Sequence, residues 1–190
     1  MRAVKLTISA LLALLVTACI PEFANPLTGG NPADPAIIGA WTGKASGDKD
    51  DMLVDITAAG DGVSVVVRDP EGATGGKDLT FKGTTAEAGG VRYANLTPVG
   101  EDLGGEVGFM IFRYELKDGK ISVWALDATA IAAAIDKGLL KGTTTGSGTD
   151  TSPKITASSD EIAAFFATPD GQAAFASGTG DILVLTRATP

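Results

Sequence analysis

Residues 109–126 read FMIFRYELKDGKISVWAL, and their alternation sets the fold class. Two runs of apolar, aromatic and β-branched residues flank Asp118-Gly119, a dipeptide suited to tight hairpin turns because both central residues must take positive φ. Phe109–Lys117 and Ile121–Leu126 are therefore expected to be paired antiparallel strands. Working back along the chain, the same pattern recurs. Val91–Leu96 and Asp78–Thr84 flank Gly89-Gly90, and Val63–Arg68 follows Asp61-Gly62. Met52, Val54 and Ile56 alternate with Leu53, Asp55 and Thr57, and Ile37–Lys44 comes first. Working forward, Asp181–Arg187 supplies a last strand. An eight-stranded antiparallel meander leaves two unpaired edges unless its last strand meets its first. A mainly β fold closed into a small barrel, spanning 37–190, is the expectation.

Between the seventh and eighth strands the periodicity changes. Asp127 is placed to cap a short helix carrying Ile131, Ala134 and Ile135, with Gly138 as its stop. Lys141–Ser152 reads as a mobile Gly/Thr/Ser loop. Ser158 and Glu161 have capping-box spacing and open a second helix with Ile162, Phe165 and Phe166 on one face. A short turn around Ala173–Phe175 leads into the last strand. These helices are expected to cross the barrel wall or to plug one mouth.

The N-terminus has a different character. Arg2 and Lys5 precede an apolar run, Leu6–Val16, which ends at Val16-Thr17-Ala18-Cys19. Small residues before a cysteine, where a soluble secreted protein carries its cleavage site, read as a lipoprotein signal peptide over 1–18 with lipidation of Cys19. Ordinary secretion with cleavage is the alternative. The run is shorter than the about 20 apolar residues of a membrane-spanning helix. Acyl chains on Cys19, at about 0.8 kcal/mol per buried methylene, would tether the chain to a membrane. Ile20 rather than Asp follows the cysteine, which favours the outer membrane of a two-membrane envelope. Residues 19–36 carry prolines at 21, 26, 32 and 35 and read as a semi-rigid spacer.

Composition narrows the function classes. Loss of Arg2 and Lys5 with the signal takes the fifteen basic side chains to thirteen, against twenty-three acidic ones. Such a negative field repels nucleic acid and anionic headgroups. The chain has no histidine, which removes the usual metal ligand and the commonest general base, and its one cysteine has no partner for a disulfide. No enzyme, no metal and no cofactor is the expectation. Asp48, Asp50 and Asp51 cluster without the spacing or glycine of a calcium loop and read as a solvated turn. Ser158 and Ser159 have no accompanying base and read as capping residues.

Gly39-Ala40-Trp41 in the first strand and Arg187 in the last resemble the lipocalin-like barrels, the calycins. That resemblance implies a structural role at the closed end: Gly39 allows close backbone approach, Trp41 plugs the barrel, and Arg187 stacks on its ring, with ligand at the other end. A second resemblance, to uncharacterised proteobacterial lipoproteins, covers the C-terminal half. It is carried by Phe112-Arg113-Tyr114-Glu115-Leu116, Asp118-Gly119-Lys120, Leu126-Asp127, Thr156–Glu161, Phe165-Phe166 and Leu183–Arg187. It implies architecture and an envelope location, with no activity attached.

Tyr93, Phe112, Arg113, Tyr114 and Trp124 are the candidate ligand contacts, and core packing is the competing reading for the aromatics. Arg113 and Glu115 share a strand face, either inside the barrel as ligand-fixing groups or outside as an ion pair. Small residues at Ser64, Gly83, Ala94 and Ser122 hint at interior space. The sequence thus supports a lipid-anchored envelope binding module for a small apolar or amphipathic ligand. The alternative is a structural or protein-interaction lipoprotein with a filled barrel.

Overall fold

The computed structural model describes residues 20–45, 51–68, 78–100, 108–175 and 183–188. Eight strands close an antiparallel barrel: β2 (Gly39–Ala45), β3 (Met52–Ala59), β4 (Gly62–Arg68), β5 (Leu79–Ala88), β6 (Val91–Val99), β7 (Met110–Lys117), β8 (Lys120–Trp124) and β11 (Leu183–Arg187). Each strand pairs with its sequence neighbour, and β11 closes the ring between β8 and β2. Closure satisfies both edges of the meander with backbone hydrogen bonds. Asp118 and Gly119 both take positive φ, at 51° and 72°, so the β7–β8 turn matches the twist of its strands.

The two ends of the barrel differ. At one, the turn end, β3–β4, β5–β6 and β7–β8 are joined by two-residue turns at 60–61, 89–90 and 118–119. At the other, the loop end, the longer connections 46–51, 69–78 and 100–109 and the helical excursion leave the strands.

That excursion contains α1 (Ala128–Asp136), β9 (Gly142–Thr145), β10 (Ser152–Ile155), α2 (Ser159–Phe166) and α3 (Pro169–Ala173). Asp127 caps α1 by accepting hydrogen bonds from the backbone N–H groups of Thr129 and Ala130, at 2.7 and 3.2 Å. The capping box at Ser158 and Glu161 is complete, and Pro169 at the start of α3 follows the Thr168 cap. Where a loop was expected at 141–152, β9 pairs antiparallel with β10. Its threonines and Pro153 make a hairpin because a third strand is available to complete it.

That third strand comes from the segment expected to be a spacer, and here the expectation is corrected. β1 (Glu22–Phe23) pairs parallel with β10, and Phe23 exchanges backbone hydrogen bonds with Phe109 at 2.9 and 2.8 Å. Phe23 and Leu27 are essentially inaccessible to solvent, and Pro21 is fully buried. Asn95, also fully buried, holds Leu27 from both sides: its Oδ1 accepts from the Leu27 N–H at 2.8 Å, and its Nδ2 donates to the Leu27 carbonyl at 2.9 Å. Further along, the Pro32 carbonyl accepts from the Thr85 N–H, and the Gly29 carbonyl from the Glu87 N–H. Residues 20–37 therefore form a strap along the outer wall of the barrel. Proline stiffness, which suits a spacer, equally suits a segment whose few apolar side chains find a wall to bury against.

The strap and helices cover the outside of β5, β6 and β7. Phe23, Leu27, Ala86, Tyr93, Ile111, Ile131, Ile155, Ile162, Phe166 and Phe175 form one apolar cluster there. A second cluster lines the barrel interior around Trp41, Val54, Val63, Phe81, Phe112 and Ile121. Of the two sequence-based options for the helices, packing on the wall is the observed one.

Candidate functional site

The interior encloses a cavity of about 320 Å³. Among the described residues its wall is contributed by every barrel strand except β2, with Val54, Val65, Phe81, Ala94, Phe112 and Leu185 among the lining side chains. Among the described residues, Tyr114 brings the one hydroxyl of this lining, and that hydroxyl is already committed. It donates to Asp34 Oδ2 at 2.8 Å. Burial first, and then the Asp34 carboxylate that accepts its hydrogen bond, push the Tyr114 phenol well above the ordinary tyrosine range. The described lining can therefore surround hydrocarbon but holds no charge to fix a buried ionic group.

Asp34 sits beneath the barrel at the turn end, in the last part of the strap. Its Oδ1 accepts from the Ala36 N–H at 2.9 Å, and Arg92 approaches Oδ2 at 3.7 Å. The Asp34 N–H donates to the Thr85 hydroxyl at 2.9 Å, and that hydroxyl donates to the Asn31 carbonyl. The strap is thus stitched across this end by groups that β5, β6 and β7 direct inward.

Gly39, Trp41 and Arg187 meet at the same end. Arg187 lies over the Trp41 ring, 4.4 Å from its centroid, and donates to the carbonyls of Ile38 and Ala36 at 2.9 and 3.2 Å. The Trp41 indole N–H donates to the Ile37 carbonyl at 2.8 Å. A Cβ on Gly39 would stand 2.3 Å from the Arg187 guanidinium, and its φ of 140° adds a second reason for glycine. This end is closed by packing.

The five candidate contacts divide. Phe112 and Tyr114 line the cavity. Tyr93 on β6, Arg113 on β7 and Trp124 on β8 point to the outer face of the barrel wall. Tyr93 is fully buried between the wall and the helices, stacked on Phe166 with centroids 5.3 Å apart. Its hydroxyl has no hydrogen-bond partner among the described residues, and burial pushes its pKa up to about 12 against a smaller opposing effect of Arg113. Arg113 lies over the Trp124 ring at 4.6 Å, its cross-strand partner. The pair is an outer-wall contact, which rules Arg113 out as a cavity group. Strand alternation gives the reason: both faces of β6 and β7 are covered, so apolar character alone does not mark the interior.

Of the small residues, Ala94 lines the cavity, while Ser64 and Ser122 alternate with the lining residues Val63, Val65, Ile121 and Val123 and face outward. Gly83 lets β5 and β6 approach closely, since a Cβ there would fall 1.7 Å from the Asn95 carbonyl oxygen. Residues 1–18, Cys19, Asp48 and Asp50 lie outside the described residues. Asp51 pairs with Lys44 at 3.6 Å.

Sequence reading missed Ile20, Leu27, Asp34 and Asn95. The one signal present was the pair Phe23 and Leu27, large apolar side chains in a segment otherwise suited to solvent. No family model matches this chain, and searches of curated proteins and of solved structures likewise find no match.

Proposed function

We propose that this chain is a lipid-anchored envelope protein, held at the membrane through Cys19, whose barrel binds a small apolar or amphipathic molecule. The observation that carries the binding reading is the cavity of about 320 Å³ with an almost wholly hydrocarbon lining. Removing apolar surface from water supplies about 25 cal/mol per Å², so an interior of this kind favours hydrocarbon over any polar solute. A barrel filled by its own side chains, the alternative reading, would lack this space. Eight strands make a barrel just wide enough for either outcome, and Ala94 is the kind of small inward residue that leaves room.

The anchoring reading rests on Arg2, Lys5, the apolar run 6–16 and Val16-Thr17-Ala18-Cys19. The absence of histidine and the commitment of the lining hydroxyl support binding without catalysis.

The test is native mass spectrometry of the full chain, extracted from envelopes in mild detergent. A mature mass beginning at an acylated Cys19, with a second non-covalent mass in the lipid range, is the expected result. Recovery as an unmodified soluble chain would defeat the anchor. An empty barrel that gains no thermal stability from fatty acids or phospholipids would defeat the binding reading.

A further inference from the structure

We infer that the loop end of the barrel faces the bilayer, so that the cavity takes a hydrocarbon chain directly from a membrane lipid whose headgroup stays at the rim. This rests on the anchoring reading above and says which way the anchored domain stands and where its ligand comes from.

Three observations converge. The first is the strap. Because residues 20–37 are folded onto the wall, they contribute no spacer between the anchor and the barrel. The second is Ile20, the first described residue, which is itself part of the cavity lining. One peptide unit, about 3.8 Å between Cα atoms, separates it from Cys19. An acylated Cys19 therefore brings the bilayer to the cavity. Ile20 is followed by Phe23, which pairs with Phe109 beside the start of β7, placing this part of the strap at the loop end.

The third observation is the outer rim at that end. Leu53, next to the start of β3, and Val99, the last residue of β6, are two of the three large hydrophobic side chains most exposed on the described surface, at 41% and 46%. Exposed singly they would mean little, but both stand at the loop end, outside the rim residues Met52, Val67 and Leu183. Around Leu53, Arg68 contacts both Asp55 and Asp78, and Lys44 contacts Asp51. Among the described residues, this end therefore presents exposed apolar side chains around the cavity. The turn end has the opposite character, closed by Trp41, Arg187 and the Asp34 contacts.

The geometry also decides which part of a lipid enters. Among the described residues the lining has no free charged or polar side chain, so a headgroup carried inside would lose its hydration without replacement. A single acyl chain entering from the leaflet crosses no water.

The chain contains one cysteine, so acylation of Cys19 leaves an engineered cysteine as the sole thiol. Lipidated Leu53→Cys, Val99→Cys and Lys117→Cys variants, each carrying an environment-sensitive fluorophore, would be reconstituted in phosphatidylcholine vesicles containing brominated acyl chains. Positions 53 and 99 are expected to be quenched, and position 117 at the turn end, about 20 Å away along the strands, is not. Quenching at 117, or none at 53 and 99 in protein that floats with the vesicles, overturns the orientation. A chain that is unacylated by mass and does not float removes the anchor and fails both readings, a distinguishable outcome. In a second arm, uptake of cis-parinaric acid from the same vesicles is followed for the lipidated chain and for Cys19→Ser. Strongly slowed uptake by Cys19→Ser is expected. Equal uptake by both chains would show that the ligand reaches the cavity through water and would overturn the source.

Discussion

β6 and β7 each serve two apolar clusters, one on either face, and the clusters are built differently. On the outside, Tyr93 stacks on Phe166, which meets Phe175 edge-on at 5.2 Å and Phe23 at 6.1 Å. The rings interlock with the strap and the helices. On the inside, the next residues along the same strands, Ala94 and Phe112, border a cavity. Apolar composition is common to both faces. What differs is what each face meets: the outer wall is covered by chain segments free to shift until they touch it, whereas the inner wall faces only the far side of its own barrel. Backbone closure fixes that distance, and side chains fill it or leave it empty.

The sharpest break in this comparison is Phe166→Ala. Phe166 is fully buried in the interlocked cluster, so its loss is expected to cost about 3–5 kcal/mol in chemical denaturation. A loss below about 1 kcal/mol would mean that the helices are not part of the cooperative core.

Next is Asn95→Leu, which leaves the Leu27 N–H and carbonyl without partners at a buried site. Each orphaned group costs about 1–3 kcal/mol, and limited proteolysis within 20–36 is expected to accelerate. Resistance equal to that of the native chain would show that the strap is held without Asn95.

A matched pair of enlargements then compares the two faces directly. Ala157→Leu, in the packed outer cluster, is expected to destabilise by about 1–3 kcal/mol. Ala94→Leu, on the cavity wall, is expected to stay within about 1 kcal/mol of the native chain while weakening binding of a fluorescent fatty acid. Equal costs at both positions would erase the distinction between the filled and the open cluster.

Alkaline titration probes the same two faces spectroscopically. The chain has two tyrosines, Tyr93 outside and Tyr114 inside, and both are raised above the ordinary value of 10.0. Above pH 10 the unfolded chain releases phenolic protons that the folded chain retains, so stability is expected to fall as pH rises. Tyrosinate absorbance should therefore appear with unfolding and not before it.

The smallest effect belongs to Glu161 on the exposed flank. Hydrogen bonds from Lys141 and from the Ser158 backbone N–H lower its carboxyl from 4.5 to about 2. A depressed acid contributes above its unfolded pKa and loses that contribution as pH falls, here from about pH 5 toward pH 2. The melting-temperature difference between the native chain and Glu161→Gln is expected to shrink across that window.

How much of this was legible varied with the range of the interaction. Local signals were readable: Asp118-Gly119 as a turn, Asp127 and Ser158 with Glu161 as caps, and the strand alternation that implied a closed eight-stranded barrel. Each depends on residues within a few positions of one another, where backbone sterics and hydrogen-bond reach leave few choices. The face assigned to each residue was not readable for β6 and β7. Period-two alternation separates two faces but cannot name the inner one when both are covered, and so Tyr93, Arg113 and Trp124 were grouped with Phe112 and Tyr114. The strap was invisible for another reason. Its bonds join residues far apart in the chain, Leu27 to Asn95 across 68 positions and Asn25 to Ala157 across 132. The sequence by itself determined the eight barrel strands and two of the helices, their order and the need to close the sheet. Only the tertiary structure decided that the Pro-rich segment folds back onto the wall and that space remains inside, because both are set by distances between surfaces that exist only once the barrel has formed.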